Sequence, residues 1–464
     1  MRFMTGSFVT QAISGGLFPL HERLKGHDSA ARRRALERSQ WWSADALAQH
    51  RLDRLRHFLA EAEARVPYYR RLFGEMDFKV SSLAGLGDLA RIPLLDKRLI
   101  RANVDALKSD RAGPLKRYNT GGSSGEPLVF FMGKHRISHD VAAKWRATRW
   151  WGVDIGDPEV VVWGSPIELG SQDRLRGLRD RLFRTTLLPA FEMSRSRLDE
   201  FIQRIRSIRP SMLFGYPSAL AHIARHAAKT GQRLDDLGVR VAFVTSEMLY
   251  DDQRAAIARA FACPVANGYG ARDAGFIAHE CPSGGMHVSA EDVIVEIVDA
   301  QGSPLPPDRS GEVVVTHLAT GDFPFVRYRT GDVASLDSRS CSCGRGLPLL
   351  KDIQGRTTDF VVAQDGTVMH ALALIYTVRD LPGVEQFRIT QHDLDRTEVQ
   401  LVATSPFSAE HEQKIVQEFK SRLGSSVAIE VRRVERIAPQ KSGKYRYVES
   451  RVPAAGASTS LAEA

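Results

Sequence analysis

The chain has 464 residues, 43% of them hydrophobic and 26% charged, with a formal net charge of +9. That length exceeds one compact core and predicts a large body of fused subdomains with at least one smaller domain. The basic residues are scattered, Arg32-Arg33-Arg34 being the densest run, without aromatic interleaving; this argues against a nucleic-acid partner and fits attraction of nucleotides or CoA-like anions.

Four cysteines, Cys263, Cys281, Cys341 and Cys343, are too few and too unevenly placed for a disulfide scaffold, so a reducing cytoplasm is expected. No apolar run reaches the length of a membrane span, so no integral membrane association is expected. The mildly apolar residues Phe8 to Leu20 are interrupted by Gln11, Ser14 and Pro19. They read as an amphipathic leader packed on the body, with loose membrane association the lesser alternative.

Up to about Arg117 the pattern is helical. Leu52, Leu55, Phe58, Leu59, Ala62 and Val66 recur at helix spacing and Pro67 ends the run; a second helix is expected near Asp96 to Leu107. Next comes Asn119-Thr120-Gly121-Gly122-Ser123-Ser124-Gly125-Glu126-Pro127-Leu128, which reads as a flexible loop between two strands. Successive N–H groups in such a loop can converge on an anion, with the hydroxyls adding donors. Glu126-Pro127 follow where the ordinary phosphate-loop signature requires lysine and a helix, so that signature is excluded.

Strands and helices then alternate. Val160 to Trp163, Val239 to Thr245 and Val265 to Asn267 read as strands, Asp199 to Ile208 and Asp251 to Phe261 as helices. Pro217 and Ser218 open a further helix. This alternation predicts an α/β body with a largely parallel sheet whose ligands gather at the carboxyl ends of strands. Thr245-Ser246-Glu247, Gly268-Tyr269-Gly270 and the Gly/Ser loop are expected as loops after strand ends, sharing one crevice. From Asp292 the runs Val293 to Val298 and Glu312 to Thr316 predict a β-rich subdomain. After Gly355-Arg356 a small α+β domain follows, with strands near Glu398 to Ala403 and Val427 to Val431 and a helix from Ser408 to Leu423. The tail from Pro453 is low-complexity and expected to be disordered.

Four further stretches carry chemistry: Gly268-Tyr269-Gly270-Ala271-Arg272-Asp273, Tyr328-Arg329-Thr330-Gly331-Asp332 with its acid at a strand end, Gly355-Arg356-Thr357-Thr358-Asp359, and Pro439-Gln440-Lys441-Ser442-Gly443-Lys444. Each alone is a weak signal. In this order and spacing, together with the Gly/Ser loop, they resemble the adenylate-forming acyl-CoA synthetases. The resemblance is greatest to the phenylacetate–CoA ligase branch and its relatives in capsule and exopolysaccharide gene sets, and it spans Val66-Pro67-Tyr68-Tyr69 to Arg446.

The resemblance implies domain limits and roles. Residues 1–117 would form the helical part of the body, 118–354 the ATP- and acid-binding part, 355–359 a hinge and 360–452 a lid domain, with 453–464 the tail. Thr120, Gly121, Gly122, Ser123, Ser124 and Gly125 would hold the β- and γ-phosphates of ATP. Ser246 and Glu247 would lie beside the adenine and Tyr269, next to Gly270, would stack on it. Asp273 would hold Mg²⁺ directly or through water. Asp332, with Arg356 nearby, would accept hydrogen bonds from the ribose, Asp359 would be the hinge, and Lys444 would reach the α-phosphate. Two departures stand out: Leu128 replaces a lysine common in relatives, and Arg272-Asp273 replaces a hydroxyl residue followed by glutamate. Arg272 would contact a phosphate or pair with Asp273.

Cys341-Ser342-Cys343 is a tight turn, and His279, Cys281 and His287 lie upstream. Cysteines on two loops and a histidine can complete tetrahedral zinc. The set expected is Cys281, His287, Cys341 and Cys343, with His279 the rival histidine, and a comparable cluster in relatives strengthens the expectation of a structural ion. The implied activity is adenylation of a carboxylic acid, aryl or arylacetic by analogy, followed by transfer to CoA. Trp163, Phe214, Tyr216 and Phe243 are candidates for an apolar pocket wall, Phe243 being the more expected in the core. Transfer to a carrier protein, amine or sugar is an alternative acceptor step. A nucleotide-binding protein that has lost catalysis is an alternative of another class. Homodimerisation is left open.

Overall fold

The computed structural model describes residues 7–120, 128–163, 173–190, 193, 195–354, 360–365, 368–379, 381–435, 437 and 448–452. From Ser7 to about residue 102 the described chain is mainly helical, as expected. Helix Ala44–Arg65 starts at Ser43, whose hydroxyl accepts the Ala46 N–H, and it buries Leu47, Leu55, Phe58, Leu59 and Ala62. Val66 is extended, which ends that helix, and Pro67 then occupies the first turn of a new helix, Pro67–Glu75. The proline read as a stop is therefore also a start, because its missing N–H is no loss there. Helix Lys97–Ala102 is capped by Asp96 and ends short of the Leu107 expected from the pattern.

Eleven strands form one sheet, in the spatial order Val293–Val298, Gly311–His317, Phe325–Asp337, Leu349–Gln354, Met286–Val288, Gly275–Glu280, Val265–Ala271, Val241–Thr245, Met212–Gly215, Glu159–Trp163 and Thr185–Pro189. The last five are parallel. Their connections carry helices such as Arg195–Ile208, Pro217–Lys229 and Asp251–Phe261. Val160, Val162, Leu213, Ala242 and Val244 from the strands meet Phe201, Ile205, Leu220, Ile223, Ile257 and Phe261 in one core. Central parallel strands need apolar side chains on both faces, which is why these runs are continuous rather than alternating.

At Val265–Ala271 the direction reverses, since Gly275–Glu280 pairs back on it antiparallel. The β-rich part expected from Asp292 onward is thus hydrogen-bonded into the same sheet. Beyond residue 360 the chain has its own four-stranded sheet, ordered Ala428–Arg433, Arg396–Ala403, Val384–Gln391, Val448–Ser450. Helix Ala409–Leu423 packs Ile415, Phe419 and Leu423 into a separate core with Phe387, Ile389, Val399 and Leu401. Gly424, at φ +135°, stops this helix in a conformation that L side chains rarely adopt. Strands Phe360–Val362 and Val368–His370 and helix Leu372–Arg379 were not expected from the sequence.

Candidate functional site

The Gly/Ser loop has a closed neck. Strands Lys116–Asn119 and Val129–Met132 pair antiparallel, as a loop between two strands requires. Beyond them the Thr120 N–H donates to the Leu128 carbonyl (3.0 Å) and the Leu128 N–H donates to the Thr120 hydroxyl oxygen (3.0 Å). Leu128, the departure from a common lysine, is fully buried and belongs to the core. Of the loop residues, Thr120 is described; Gly121, Gly122, Ser123, Ser124 and Gly125 lie outside the described residues, as do Arg356, Asp359 and Lys444.

The adenosine candidates do meet. The Tyr269 hydroxyl donates to Asp332 Oδ2 at 2.9 Å. Thr330 fixes the approach of Asp332, donating to the Val313 carbonyl (2.9 Å) and accepting the Asp332 N–H (3.1 Å). Thr245 sits opposite Gly268 in the parallel register, so Ser246 and Glu247 leave the sheet beside Tyr269. Ser246 turns the chain with φ +71°. The Glu247 carboxylate accepts the Ser218 N–H (3.2 Å), in the first turn of helix Pro217–Lys229, where negative charge is favoured.

Two expectations about these stretches need correction. Gly268-Tyr269-Gly270 is not a loop but part of strand Val265–Ala271. Its glycines serve close approach rather than a turn. A Cβ on Gly270 would lie 2.3 Å from the Gly275 carbonyl oxygen, and one on Gly268 would lie 2.9 Å from Phe243. Likewise Asp332 does not end a strand; it lies inside the 13-residue strand Phe325–Asp337. There Gly331, at φ +82°, and a register shift next to Val333 bend the strand without ending it.

Between the loop neck and this pair lies the Arg272–Asp273 turn. Arg272 Nη1 donates to the Asn119 carbonyl (3.4 Å), bringing its guanidinium to the base of the Gly/Ser loop. The Asp273 carboxylate is turned inward and is 5% exposed. Its Oδ2 accepts the Tyr328 hydroxyl (2.5 Å) and its Oδ1 the Ala274 N–H (3.1 Å). Arg136, which the sequence reading missed, supports the turn from behind. Only 2% exposed, it donates to the carbonyls of Arg272 and Asp273 (both 3.3 Å) and, through Nε, to both oxygens of Asp140 (3.1 and 3.0 Å). Burial would push the Asp140 carboxyl up, but Arg136 and then His139 outweigh it and hold it below its ordinary value. The available signal was the Arg136/Asp140 spacing of four on helix Lys134–Trp150. Tyr328, also missed, opens the very stretch that contains Asp332.

Along the carboxyl ends of the parallel strands runs a row of aromatic rings. Trp163 stacks on Tyr216 (centroids 4.3 Å, 18°) and lies 5.9 Å from Phe214, which lies 6.0 Å from Phe243. Phe243 and Phe214 are core residues, whereas Trp163 and Tyr216 are half-buried.

The cysteines converge as expected. One ligand atom from each of Cys281, His287, Cys341 and Cys343 lies within 4.8 Å of all the others. Cys281 and Cys341 sulfurs are 3.7 Å apart, and Cys343 Sγ is 3.2 Å from His287 Nε2. His287 Nδ1 faces the Leu347 carbonyl (3.3 Å), which leaves Nε2 for an ion. Burial lowers the His287 pKa to about 4, so the ring is neutral. Gly285 is required here because a Cβ would come 2.6 Å from Cys341 Sγ. The rival His279 is elsewhere, stacked on Phe276 at 5.3 Å and fully buried. Cys263 is buried packing, as expected.

A family model described as AMP-binding enzyme matches residues 184–320, and one described as CapK C-terminal domain matches residues 361–451. Protein CapK of Staphylococcus aureus is 24% identical over 80% of this chain and 82% of its own length. The phenylacetate-coenzyme A ligase of Pseudomonas putida is 26% identical over 87% and 93%, and that of Thermus thermophilus 26% over 80% and 84%. Among solved structures, a 2-hydroxyisobutyryl-CoA ligase in complex with 2-HIB-AMP and CoA shares the fold with a TM-score of 0.66. It is 21% identical and covers 90% of this chain and 92% of that one. These matches bear out the resemblance carried by the motifs and the α/β body with a small C-terminal domain.

Proposed function

We propose that this chain is an AMP-forming acid–CoA ligase, in keeping with its AMP-binding enzyme match and its phenylacetate–CoA ligase relatives. The observation that carries the reading is the Tyr269–Asp332 pair, joined through the Arg272–Asp273 turn to the neck of the Gly/Ser loop. A stacking ring, a ribose acceptor and a phosphate-loop base then lie in the order in which adenine, ribose and phosphates follow one another in ATP.

The chemistry runs in two steps. A carboxylate oxygen of the acid attacks the α-phosphorus of ATP, and the bond to pyrophosphate breaks. The CoA thiol, giving up its proton, then attacks the acyl carbon, and AMP leaves with its phosphate. Negative charge gathers on the α-phosphoryl oxygens and on pyrophosphate in the first step, where fixed N–H dipoles and cations lower the barrier. In this reading Thr120 and Gly121 to Gly125 hold the phosphates, Tyr269 and Ser246 line the adenine, Glu247 orders the turn beside it, and Asp332 with Arg356 takes the ribose. Lys444 serves the first step and gives way to the thiol when the lid domain turns about Asp359. Arg272 is the phosphate-side cation and not the partner of Asp273, whose carboxylate is taken by Tyr328 and Ala274. Magnesium, which accompanies ATP, would supply charge neutralisation when bound, and the Asp273 carboxylate, turned inward onto Tyr328 and Ala274, would have to turn outward to serve it. The half-buried rings Trp163 and Tyr216 would face an aryl or arylacetic acid.

Cys281, His287, Cys341 and Cys343 would hold a structural zinc ion; two thiol-bearing loops, a neutral imidazole and a glycine-cleared approach fit that ion. The free cysteines fit a reducing cytoplasm. A second reading, transfer to a non-CoA acceptor in polysaccharide assembly, is favoured by the CapK C-terminal domain match over residues 361–451. The test is AMP release from ATP with aryl, arylacetic, fatty and sugar-derived acids, with and without CoA. Acid-dependent AMP release that requires CoA supports the ligase. Acid-dependent pyrophosphate release whose adenylate CoA does not discharge to AMP selects the second reading, and neither pyrophosphate nor AMP released with any acid overturns both.

A further inference from the structure

The ligase reading leaves the helical stretch Phe8–Leu24 unused. It consists of helix Phe8–Ala12, a π-turn Ile13–Leu17 and helix Phe18–Leu24. Its inner face is fixed. Thr10 donates to Asp157 (3.0 Å), and Ile13 and Phe18 pack with Trp145 and Phe183. The five-residue step from Ile13 to Phe18 across the π-turn keeps both on that inner face, the Phe18 N–H bonding the Ile13 carbonyl.

Among the described residues nothing covers its outer face, which is apolar. Among the described residues, ten large hydrophobic side chains are exposed, and five of them lie on this one stretch: Phe8 (86%), Val9, Leu17, Leu20 and Leu24 (81%). Gly15 and Gly16 widen the same face, since a Cβ on either would meet nothing within 4 Å. Leu182, another of the ten, precedes the Phe183 that packs against the stretch. Isolated exposed leucines need no explanation, but a contiguous run of this kind on one anchored helix does.

Its charge pattern says what covers it. From Ser7 to Leu20 the chain carries no charged residue. The one acid between Ser7 and Lys25, Glu22, is 4% exposed and turned inward, accepting the Ser29 hydroxyl at 2.7 Å. Basic residues border it: Arg23 and Lys25 at the end of the stretch itself, and Lys116 and Arg179 close enough to act on Lys25, Arg179 also pairing Asp180. Burial lowers the Lys25 pKa, and Arg179 and Lys116 add to this against the pull of Glu22, so these cations are crowded together. A second copy docked symmetrically would set this basic fringe against itself. A surface that is apolar within and anionic at its rim suits both features, and that is the interfacial layer of an acidic bilayer.

We propose that the Phe8–Leu24 face seats on anionic lipid surfaces, holding the protein peripherally with the aliphatic side chains in the acyl boundary and the basic fringe over the headgroups. The test is flotation of the full chain with vesicles of phosphatidylcholine alone and of phosphatidylcholine mixed with phosphatidylglycerol, at low and high salt. Leu20→Ser/Leu24→Ser and Arg23→Ser/Lys25→Ser would run beside the wild type. The expected result is flotation with the mixed vesicles, weakened by salt, and reduced roughly tenfold or more in the leucine variant. All these residues except part of Lys25 are surface groups, so melting of the variants should match wild type and certify their folding. Wild type remaining in solution with mixed vesicles would overturn the proposal, as would equal binding to both vesicle types or undiminished binding of the leucine variant. Concentration-dependent dimerisation abolished by Leu20→Ser/Leu24→Ser would assign the face to a second copy instead.

Discussion

Arg136→Met separates the structural and catalytic consequences of the network behind the Asp273 turn. The guanidinium is the principal cation beside Asp140, and it also holds two carbonyls of the turn. Removing one member of a buried pair leaves the other charge uncompensated, at a cost of about 3–5 kcal/mol. Asp140 can escape by taking up a proton. With an ordinary carboxyl value near 3.9, at about 1.4 kcal/mol per unit, that route costs about 4 kcal/mol at neutral pH and sets a ceiling on this contribution. The pair-removal range and the proton-uptake ceiling overlap at about 3–4 kcal/mol, so denaturant unfolding should show a loss of that size. Arg136→Met/Asp140→Asn removes both charges and should recover most of it, to within about 1–2 kcal/mol of wild type. Adenylation should not recover with it. The turn carbonyls of Arg272 and Asp273 still lack their donor, and misplacement of a positioning turn costs on the order of tenfold or more in rate. A single variant within about 1 kcal/mol of wild type, or a double variant no more stable than the single, would refute the reasoning.

Cys343→Ser should lower zinc content from one ion per chain to near zero, read by elemental analysis of chelator-washed protein, with a lower melting temperature than metal-replete wild type. Gly270→Ala should destabilise by about 1–3 kcal/mol, because its Cβ would press on the Gly275 carbonyl and spread the hairpin that carries Tyr269. Burial, with the Arg136 charge next, holds the His317 pKa well below its ordinary value. The unfolded chain takes up that proton near pH 6.5 and the folded chain does not. This share of stability is therefore present above about pH 6.5 and falls, as pH drops toward about 5, by up to about 1.4 kcal/mol per unit. His317→Gln should flatten that part of the slope in unfolding measured between these values.

The parallel half of the sheet was legible because its strands are buried on both faces and its helices are punctuated: Asp251–Phe261 was bounded correctly from the pattern alone. The cysteine cluster was legible, His287 included, because two cysteines on a tight turn admit few structural partners, and the fold brings the four expected residues together and leaves His279 apart. The Gly268 and Gly270 positions were misread because glycine marks both turns and close backbone approach, and a single sequence does not distinguish the two. Asp332 was placed at a strand end for the same reason, Gly331 bending a strand that continues. The Arg136 network was hidden because its partners, Arg272 and Asp273, lie more than a hundred residues away, and only tertiary structure brings them together.

The most direct test of the adenylation claim is acid-dependent exchange of pyrophosphate into ATP by wild type, Asp332→Asn and Lys444→Ala. Asp332 is already held by Tyr269 and Thr330 in the fold, so its neutral isostere should preserve folding while weakening ribose binding. The account predicts exchange with at least one class of acid. It predicts an ATP KM raised about tenfold or more in Asp332→Asn, the scale of one lost charge-assisted hydrogen bond. In Lys444→Ala the exchange rate should fall by two orders of magnitude or so with ATP binding retained. No exchange with any acid by a folded, zinc-replete wild type, or exchange indifferent to both substitutions, would contradict it.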